Sequence, residues 1–446
     1  MALPIEIVAR RDLPLGMPAK AFLRDYWQKR PLLVRGAFPD FRDPLTPNDL
    51  AGLACEELAL ARLVIHDSRR DRWTLRNGPF NDADFANLPT RDWTVLVQDV
   101  DKWDADVADL LARFAFLPDW RIDDVMVSYA VDQGSVGAHV DQYDVFLLQG
   151  LGQRRWQIST DPRAPRDFRD DVELKLLREF APTHEWTLRA GDMLYLPPGV
   201  PHHGVAVGEC LTYSIGMRAP SQSELLIDFA ESLADSLPED LRFSDPDIEP
   251  SNGDGEIDDA AFARVLRAMP WLKADAGFDG LLSRTYLKPP VRPEVSKGDL
   301  FEAAVLRRVR APKNLEKGGD GCSGSVDSSL LRTWFARFIT RYRSAHTAMP
   351  RARKLTDAQF ERAFTRQAIA MRNPWSRAAW VRSGRDAMLF VAGTDHACSV
   401  PFARLVCSRA AIPLDRVRSR RDRDALRSLI DSGHVTLAST TRRSRQ

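Results

Sequence analysis

GAHVDQYDVFLLQG, residues 137–150, places a histidine and an aspartate two positions apart inside an alternating apolar stretch. In a β-strand, residues two positions apart point to the same face, so the side chains of His139 and Asp141 are predicted to lie side by side. An imidazole and a carboxylate in this arrangement are two of the three ligands of the facial triad that binds non-haem Fe(II). One H-x-D is not specific, because the chain has 8 histidines and a polar pair on a strand is the ordinary interpretation. The third ligand would have to come from a distant strand.

A candidate for that ligand follows in GDMLYLPPGVPHHG, residues 191–204. Residues 193–196 predict a short strand, and residues 197–199 predict a tight turn directly before His202. The spacing is that of the second metal motif of cupin barrels, and it favours His202 over His203, which would face outward or toward a substrate. Both halves of this pattern are predicted to lie on strands, which is much harder to obtain by chance than one motif alone.

The combination of the two motifs resembles the JmjC family of Fe(II)- and 2-oxoglutarate-dependent oxygenases. Three protein ligands leave three positions on an octahedral iron, two for the oxygens of a 2-oxo acid and one for dioxygen. The resemblance implies Fe(II) as the metal and 2-oxoglutarate and O2 as cosubstrates. It implies catalysis at the metal ligands His139, Asp141 and His202.

The far carboxylate of 2-oxoglutarate needs a buried cation, and GQRRWQIS, residues 152–159, offers one. Arg154 alternates with Trp156 and Ile158, and this apolar face is predicted to be the interior one. A buried guanidinium favours bidentate contact with a carboxylate, so Arg154 is the predicted anchor. An internal ion pair with a barrel aspartate is the alternative. Ser128 resembles a hydroxyl that helps hold the same carboxylate, although it is also an ordinary strand residue.

The resemblance is closest to the bacterial ribosomal oxygenases, across WRIDDVMVSYAV (120–131), HVDQYDVFLLQGLGQRRW (139–156) and the second metal motif. These are JmjC proteins that hydroxylate an arginine of the sixteenth large-subunit ribosomal protein. The resemblance implies a homodimeric protein hydroxylase that produces 3-hydroxyarginine and ends in a winged-helix domain. An arginine substrate predicts an acidic residue near the mouth of the site, and Asp132 and Asp144 are the candidates.

The order of predicted elements indicates a mainly β core followed by helices. About eight short strands are expected between residues 120 and 217, which suits a double-stranded β-helix (a JmjC/cupin barrel) inside an oxygenase domain of residues 1–220. Before the barrel, residues 18–30 predict an amphipathic helix and residues 105–117 predict another.

After the barrel, the sequence pattern changes from predicted strands to predicted helices. Residues 221–346 predict an α-helical dimerisation region with a Pro/Gly/Ser-rich insertion at 271–329. Residues 347–446 predict a winged-helix-like domain. Its basic segments, 416–423 and 441–446, are interpreted either as a solvated charged face or as a contact with ribosomal RNA.

Composition limits the classes of function. The net charge of +1 argues against a global nucleic-acid-binding field, and 44% hydrophobic and 28% charged residues are typical of a globular protein. No apolar run reaches the roughly 18 residues of a membrane span, and a secretory signal is not expected. The 5 cysteines are scattered without a C-x-x-C pair, which predicts free thiols in a reducing cytoplasm where Fe(II) would also persist.

Two further functions remain open from the sequence. The first is hydroxylation of a histidine or an asparagine, as in other JmjC branches. The second is a non-catalytic regulator that binds the ribosome or its RNA through the basic C-terminal helices. Histone demethylation is disfavoured, because nothing in the chain resembles an aromatic cage for methyl-lysine.

Overall fold

The computed structural model describes residues 3–10, 13–235, 242–248, 259–268, 328–342, 346, 348–365 and 368–438. The chain divides into two compact units, residues 1–220 with 336–446 and residues 221–335. Residues 271–327 of the predicted insertion lie outside the described residues, as does the basic segment 441–446.

The barrel of the first unit is built from two sheets. Its strands are β1 (Glu6–Val8), β2 (Leu32–Arg35), β3 (Ala61–Asp67), β4 (Arg72–Asn77), β5 (Trp93–Val97), β6 (Ile122–Ala130), β7 (His139–Val140), β8 (Val145–Gln149), β9 (Gln153–Ile158), β10 (His184–Arg189), β11 (Met193–Leu196), β12 (Pro201–Val207) and β13 (Cys210–Met217). One sheet has the order β1-β2-β11-β8-β13-β6-β5-β3-β4 and the other has the order β10-β9-β12-β7. The strands β6 to β13 are the eight predicted between residues 120 and 217, and the double-stranded β-helix is confirmed.

The helices before the barrel strands are shorter than predicted. They are α1 (Ala19–Asp25), α2 (Pro47–Ala54), α3 (Asp82–Ala86), α4 (Val100–Trp103) and α5 (Ala105–Asp109). The helix predicted over residues 18–30 ends early, because Gln28 adopts a left-handed φ of 56° and donates its backbone N–H to the Tyr195 hydroxyl. The helix predicted over residues 105–117 changes at Leu110 into a 3-10 turn, which buries Leu111 and Phe114 three positions apart on one face.

The two faces of the large sheet bury different cores. Toward the N-terminal helices, the sheet packs aromatic residues, including Phe22, Phe146 and Tyr195 in mutual contact. The barrel interior has its own apolar cluster of Leu33, Val145, Leu147, Trp156, Ile158, Leu188, Leu194 and Leu196. Along β8 and β9 the inward positions then become polar at Gln149 and Arg154, both buried. This alternation leaves polar groups inside an otherwise apolar barrel.

The secondary-structure elements that the structure describes in the second unit are helices. The unit contains α6 (Gln222–Ala234), α7 (Asp259–Ala268) and the beginning of α8 (Ser328–Arg341). A capping box at Ser221 and Glu224 starts α6, as the sequence pattern indicates. The Trp334 indole of α8 packs against Phe229 and donates to Asp228 at 2.9 Å.

The C-terminal elements alternate helices with short strands. They are α9 (Asp357–Thr365), β14 (Ile369–Arg372), β15 (Ala378–Ser383), β16 (Asp386–Val391), β17 (Thr394–Cys398), α10 (Val400–Cys407), β18 (Ile412–Pro413), α11 (Arg420–Asp431) and β19 (Val435–Ala438). They form two three-stranded sheets, β18-β14-β19 and β15-β16-β17, around a separate apolar core. None of the described helices is both long enough and apolar enough to cross a bilayer.

Candidate active site

The two metal motifs meet where β12 pairs with β7. His202 lies opposite His139 in this antiparallel pair, and Asp141 directly follows β7. The carboxylate of Asp141 lies 4.0 Å from Nε2 of His139 and 3.7 Å from Nε2 of His202. All three donor atoms fall within 4.8 Å of one another, and the two distances from Asp141 are ones that a divalent metal about 2.1 Å from each ligand can span.

Both imidazoles are held in the same tautomer by backbone carbonyls. Nδ1 of His139 contacts the carbonyl of Gly137 at 3.0 Å, and Nδ1 of His202 contacts that of Val200 at 2.9 Å. A carbonyl only accepts, so each Nδ1 carries the proton and each Nε2 presents its lone pair. Burial, followed by the neighbouring His139, lowers the pKa of His202 to about 4, so this ring is neutral and ready to bind a metal at physiological pH.

The turn before His202 also holds the backbone of Asp141 in place. Gly199 adopts a left-handed φ of 81° in the Pro-Pro-Gly turn and donates its N–H to the carbonyl of Asp141 at 2.8 Å. His203 points to the other side of β12, where Nε2 lies 3.0 Å from the Ser135 hydroxyl. The structure therefore brings His202 into the cluster and leaves His203 outside it.

Arg154 lies on the inward face of β9 and is 6% exposed. Its Nη1 is 3.5 Å from the Ser128 hydroxyl, its guanidinium lies over the Trp156 ring, and its buried Nε has no hydrogen-bond partner among the described residues. The alternative prediction, an ion pair with a barrel aspartate, is not present among those residues. A buried guanidinium with unused donors is suited to an anionic ligand.

Arg154 and the metal cluster share one cavity wall. β12 pairs Ala206 with Arg154 and His202 with Ile158, so the cation and the ligand lie on the same inward face. The two positions are four residues apart, about 13 Å along the strand. The long arginine side chain shortens this gap, and a five-carbon dicarboxylate has the length to bridge the remainder.

The two carboxylates predicted for substrate binding are placed away from the metal ligands. Asp144 has no exposed surface and accepts hydrogen bonds from Tyr195, Gln28 and Arg121 at 2.6, 2.8 and 3.1 Å. Asp132 accepts from the N–H of Gly208 at the end of β12, about 20 Å along the strand from His202. Both placements argue for structural roles, Asp144 in joining α1 to the barrel and Asp132 in joining two loops.

A different carboxylate, Asp124, lies on the inward side of β6. It alternates with Ser128 along this strand, and burial, which outweighs the attraction of Lys102, raises its pKa to about 7. Tyr143 follows Asp141 by two residues, and burial, followed by the charges of Asp141 and Asp124, raises the pKa of its phenol. Strand alternation places Asp124 on the same face as Ser128, so the sequence contained a signal for Asp124 that the sequence analysis did not use.

The polar insert after β9 covers the metal strand. Leu176 and Leu177 are buried, the N–H of Leu177 donates to the carbonyl of Ala138 at 2.8 Å, and Leu176 packs against Gly137. Arg169 anchors the insert to Asp71 of the β3–β4 turn at 2.7 Å. These contacts place the insert, residues 160–181, against the strand that carries His139.

Two family models match this chain in the order in which its domains occur. The JmjC domain matches residues 109–225, which include all three candidate metal ligands and Arg154, and the ROXA-like winged helix matches residues 324–436. The chain contains a JmjC domain. It combines this domain with a ROXA-like winged helix.

Curated relatives and solved structures agree with this assignment. The JmjC chain is 41% identical to the ribosomal protein uL16 3-hydroxylase of Escherichia coli (strain K12) over 229 residues, which is 51% of this chain and 60% of the relative. It is 39% identical to a probable ribosomal oxygenase of Haemophilus influenzae, over 53% of this chain and 58% of the relative. These alignments thus span about three fifths of the relatives' length.

The solved structures extend the similarity to nearly the full chain. The X-ray structure of E. coli ycfD matches with a TM-score of 0.71 at 27% identity, covering 95% of this chain and 98% of that one. The structure of the E. coli ribosomal oxygenase YcfD in complex with cobalt and 2-oxoglutarate matches with a TM-score of 0.67 at 28% identity, covering 94% and 98%. The winged-helix end that the sequence predicts is confirmed by the ROXA-like winged-helix match over residues 324–436.

Proposed function

We propose that this JmjC chain is an Fe(II)- and 2-oxoglutarate-dependent protein hydroxylase that hydroxylates C3 of an arginine in uL16, the sixteenth large-subunit ribosomal protein. The observation that carries the proposal is the joint placement of a His-Asp-His cluster and an unneutralised buried guanidinium inside one barrel. The similarity to a relative named as a uL16 3-hydroxylase supports the choice of substrate.

Each residue of the site has a distinct proposed role. His139, Asp141 and His202 hold Fe(II), which together with 2-oxoglutarate and O2 supplies the oxidising chemistry. Arg154 binds the far carboxylate of 2-oxoglutarate, and Ser128 supports it from the neighbouring sheet. The apolar interior of the barrel excludes water from the reacting atoms, so oxidation is directed to the bound residue.

The substrate guanidinium is proposed to bind at Asp124 instead of Asp132 or Asp144. Asp124 shares the inward face of β6 with Ser128, and burial, which outweighs the attraction of Lys102, raises its pKa. An arginine side chain would add positive charge and stabilise the ionised form of this carboxylate. Tyr143, which is 41% exposed, would then provide an aromatic wall for the same side chain.

Succinate release with a panel of peptides tests the reaction and its target together. A uL16 peptide with its arginine should stimulate succinate formation, whereas the same peptide with lysine at that position should not. Asp141→Ala should abolish release, and Asp124→Asn should raise the KM for the peptide with little change in the KM for 2-oxoglutarate. If only peptides with a histidine or an asparagine stimulated succinate release, that residue would be the target instead of arginine. Equal succinate release by the Asp141→Ala variant would refute the enzymatic proposal.

A non-catalytic regulator is the competing proposal from another class. It requires normal binding to the ribosome after His139→Ala and no turnover of 2-oxoglutarate by the wild-type protein. The buried Arg154, whose Nε has no hydrogen-bond partner and whose charge no carboxylate pairs among the described residues, favours the enzyme, since a regulator has no use for a buried unneutralised cation.

The helical unit is proposed to mediate homodimerisation. Leu226 and Ile227 of α6 are 61% and 57% exposed, and Phe262 of α7 is 54% exposed. Apolar side chains exposed together are typical of interaction surfaces. A dimer mass by light scattering that becomes a monomer mass in Leu226→Glu/Ile227→Glu is expected, and a monomeric wild-type protein would contradict it.

The basic segment 416–423 is proposed to contact ribosomal RNA. Part of the charge of α11 is neutralised, because Arg421 and Arg423 pair with Asp386 and Glu361. Arg416, Arg418 and Arg420 would carry the contact, so binding should fall steeply with salt and with charge reversal of these three. Salt-independent or absent binding would leave the solvated-face interpretation.

We propose that the protein works in the reducing cytoplasm, because its chemistry requires Fe(II). The described cysteines, Cys55, Cys210, Cys398 and Cys407, are free thiols. This state agrees with the environment that keeps iron as Fe(II).

A further inference from the structure

We propose that Ser135 and His203 are positioning residues that hold the loop before β7 so that His139 is aimed at the metal. Neither residue belongs to the metal-ligand set. The inference rests on the metal centre of the proposed function, and it concerns how that centre is kept in place.

The loop of residues 133–137 is bound along β12 by its backbone. Gln133 donates its N–H to the carbonyl of Ala206 at 3.1 Å, and Ala206 donates to the carbonyl of Gly134 at 3.0 Å. The Ser135 hydroxyl continues this series to the carbonyl of Gly204 at 2.8 Å, and Ser135 is 4% exposed. The loop that leads to His139 is therefore fastened to the strand that carries His202.

The direction of each hydrogen bond at Ser135 follows from its partners. A carbonyl cannot donate, so the single hydroxyl proton of Ser135 must go to Gly204. The hydroxyl oxygen then accepts from the N–H of Gly137 at 3.0 Å. His203, with Nε2 at 3.0 Å, must also donate to that oxygen, so its proton lies on Nε2. All three contacts of the hydroxyl are satisfied by one arrangement of protons.

Gly137 transmits this arrangement to the metal ligand. Its N–H is held by Ser135, its φ is +80°, and its carbonyl accepts from Nδ1 of His139 at 3.0 Å. Rotation of the Gly137 peptide would move this carbonyl and turn the imidazole. Hydrogen-bond partners that orient a ligating histidine change metal affinity when they are lost.

His203 is adjacent to the metal ligand His202, but the two histidines have different roles. His202 and His203 point to opposite faces of β12, so one binds the metal while the other supports the opposite ligand through Ser135 and Gly137. An apolar side chain would fill the same space without a donor. The histidine pair in PHHG thus serves two ligands from adjacent positions.

Cobalt(II) binding to the full-length protein tests this inference without turnover. The visible absorption of bound Co(II) would be titrated in wild type, Ser135→Ala, His203→Ala and His203→Gln, with His184→Ala as a histidine control outside the network. Ser135→Ala and His203→Ala should weaken Co(II) binding about tenfold or more and alter the absorption bands. His203→Gln should stay close to wild type, because the glutamine amide places an N–H donor near the position of Nε2. The Ser135→Ala/His203→Ala double variant should bind Co(II) no more weakly than Ser135→Ala alone, since both residues act through Gly137.

The outcomes separate this inference from the proposed function. Failure of the wild-type protein to bind Co(II) at the His-Asp-His site would count against the metal centre itself. Normal Co(II) affinity and spectra in Ser135→Ala and His203→Ala, with wild-type binding intact, would overturn only the positioning roles. His203→Ala could also lower the melting temperature and weaken Co(II) binding while His203→Gln fails to restore that binding. This result would mean that His203 only packs against its neighbours, and it would also overturn the positioning roles.

Discussion

Replacing Arg154 with methionine should separate ligand binding from stability. The guanidinium is 6% exposed and has donors to spare, so two charge-assisted hydrogen bonds to the far carboxylate of 2-oxoglutarate are expected. At about 1.5 kcal/mol or more for each bond, their loss costs roughly 3 kcal/mol. Because each 1.4 kcal/mol is a factor of about ten, the KM for 2-oxoglutarate should rise by about 100-fold.

The same change should not harm the ligand-free protein. A buried cation without a carboxylate partner is costly, and a methionine of similar length removes that cost while keeping most of the packing. The melting temperature of Arg154→Met without 2-oxoglutarate should therefore equal or exceed that of wild type. Added 2-oxoglutarate at about 100 times its Kd should stabilise wild type by roughly 2.7 kcal/mol and should give no comparable shift in the variant.

Arg155→Met is the matched control. Arg155 lies on the opposite face of β9, with a 41% exposed side chain 3.8 Å from Glu185. Its replacement should leave the KM for 2-oxoglutarate within about twofold, since an exposed ion pair of this kind contributes little. An unchanged KM in Arg154→Met, or an equal rise in both variants, would refute the assignment of Arg154 as the anchor.

Three further predictions concern the surroundings of the site. Asp144→Ala leaves Arg121 without its buried partner and should lower the free energy of unfolding by about 3 kcal/mol, measured by urea denaturation; a loss below about 1 kcal/mol would contradict the buried network. Gly204→Ala would place a Cβ 2.7 Å from the Trp156 ring, so a loss of about 1–3 kcal/mol is expected by the same assay, and wild-type stability would show that the ring moves freely. Asp124 has a folded pKa of about 7, above its ordinary value of 3.8, so the folded state retains a proton that the unfolded state has lost. Wild type should lose stability relative to Asp124→Asn as the pH rises from about 4 to about 7, and parallel melting curves across this range would contradict the raised pKa.

The site was largely readable from local patterns. His139 and Asp141 are separated by one residue, and strand alternation alone places them on one face. The position of His202 follows from a tight turn of proline and glycine, which has few conformations. Arg154 was placed inward by its alternation with Trp156 and Ile158. In each case the direction of the side chain is set by a few neighbouring residues, so the sequence is sufficient to predict it.

The errors arise where long-range contacts decide the environment. Asp144 was a candidate for contacting the substrate near the mouth of the site, but it is buried against Tyr195 and Gln28, which are distant in the sequence. The end of α1 is set by the Gln28 N–H donating to Tyr195, again a partner far along the chain. No periodicity within either segment encodes these contacts.

The C-terminal region illustrates the same limit. Its strands and helices were visible as alternating patterns, but its attachment to the barrel was not. Arg372 and Arg377 form ion pairs with Asp119 and Asp123, and the buried Arg218 joins Asp123 from the barrel side. In the sequence these arginines resemble ordinary surface charges, because their burial depends on the packed domain.

Incubation of a uL16 peptide with the protein, Fe(II), 2-oxoglutarate and isotopically labelled dioxygen, followed by tandem mass spectrometry, tests the central claim most directly. One labelled oxygen on C3 of a single arginine is expected with wild type, and none is expected with Asp141→Ala. The claim would be contradicted if the wild-type protein bound iron but left the peptide unlabelled, or if the Asp141→Ala variant labelled the peptide equally.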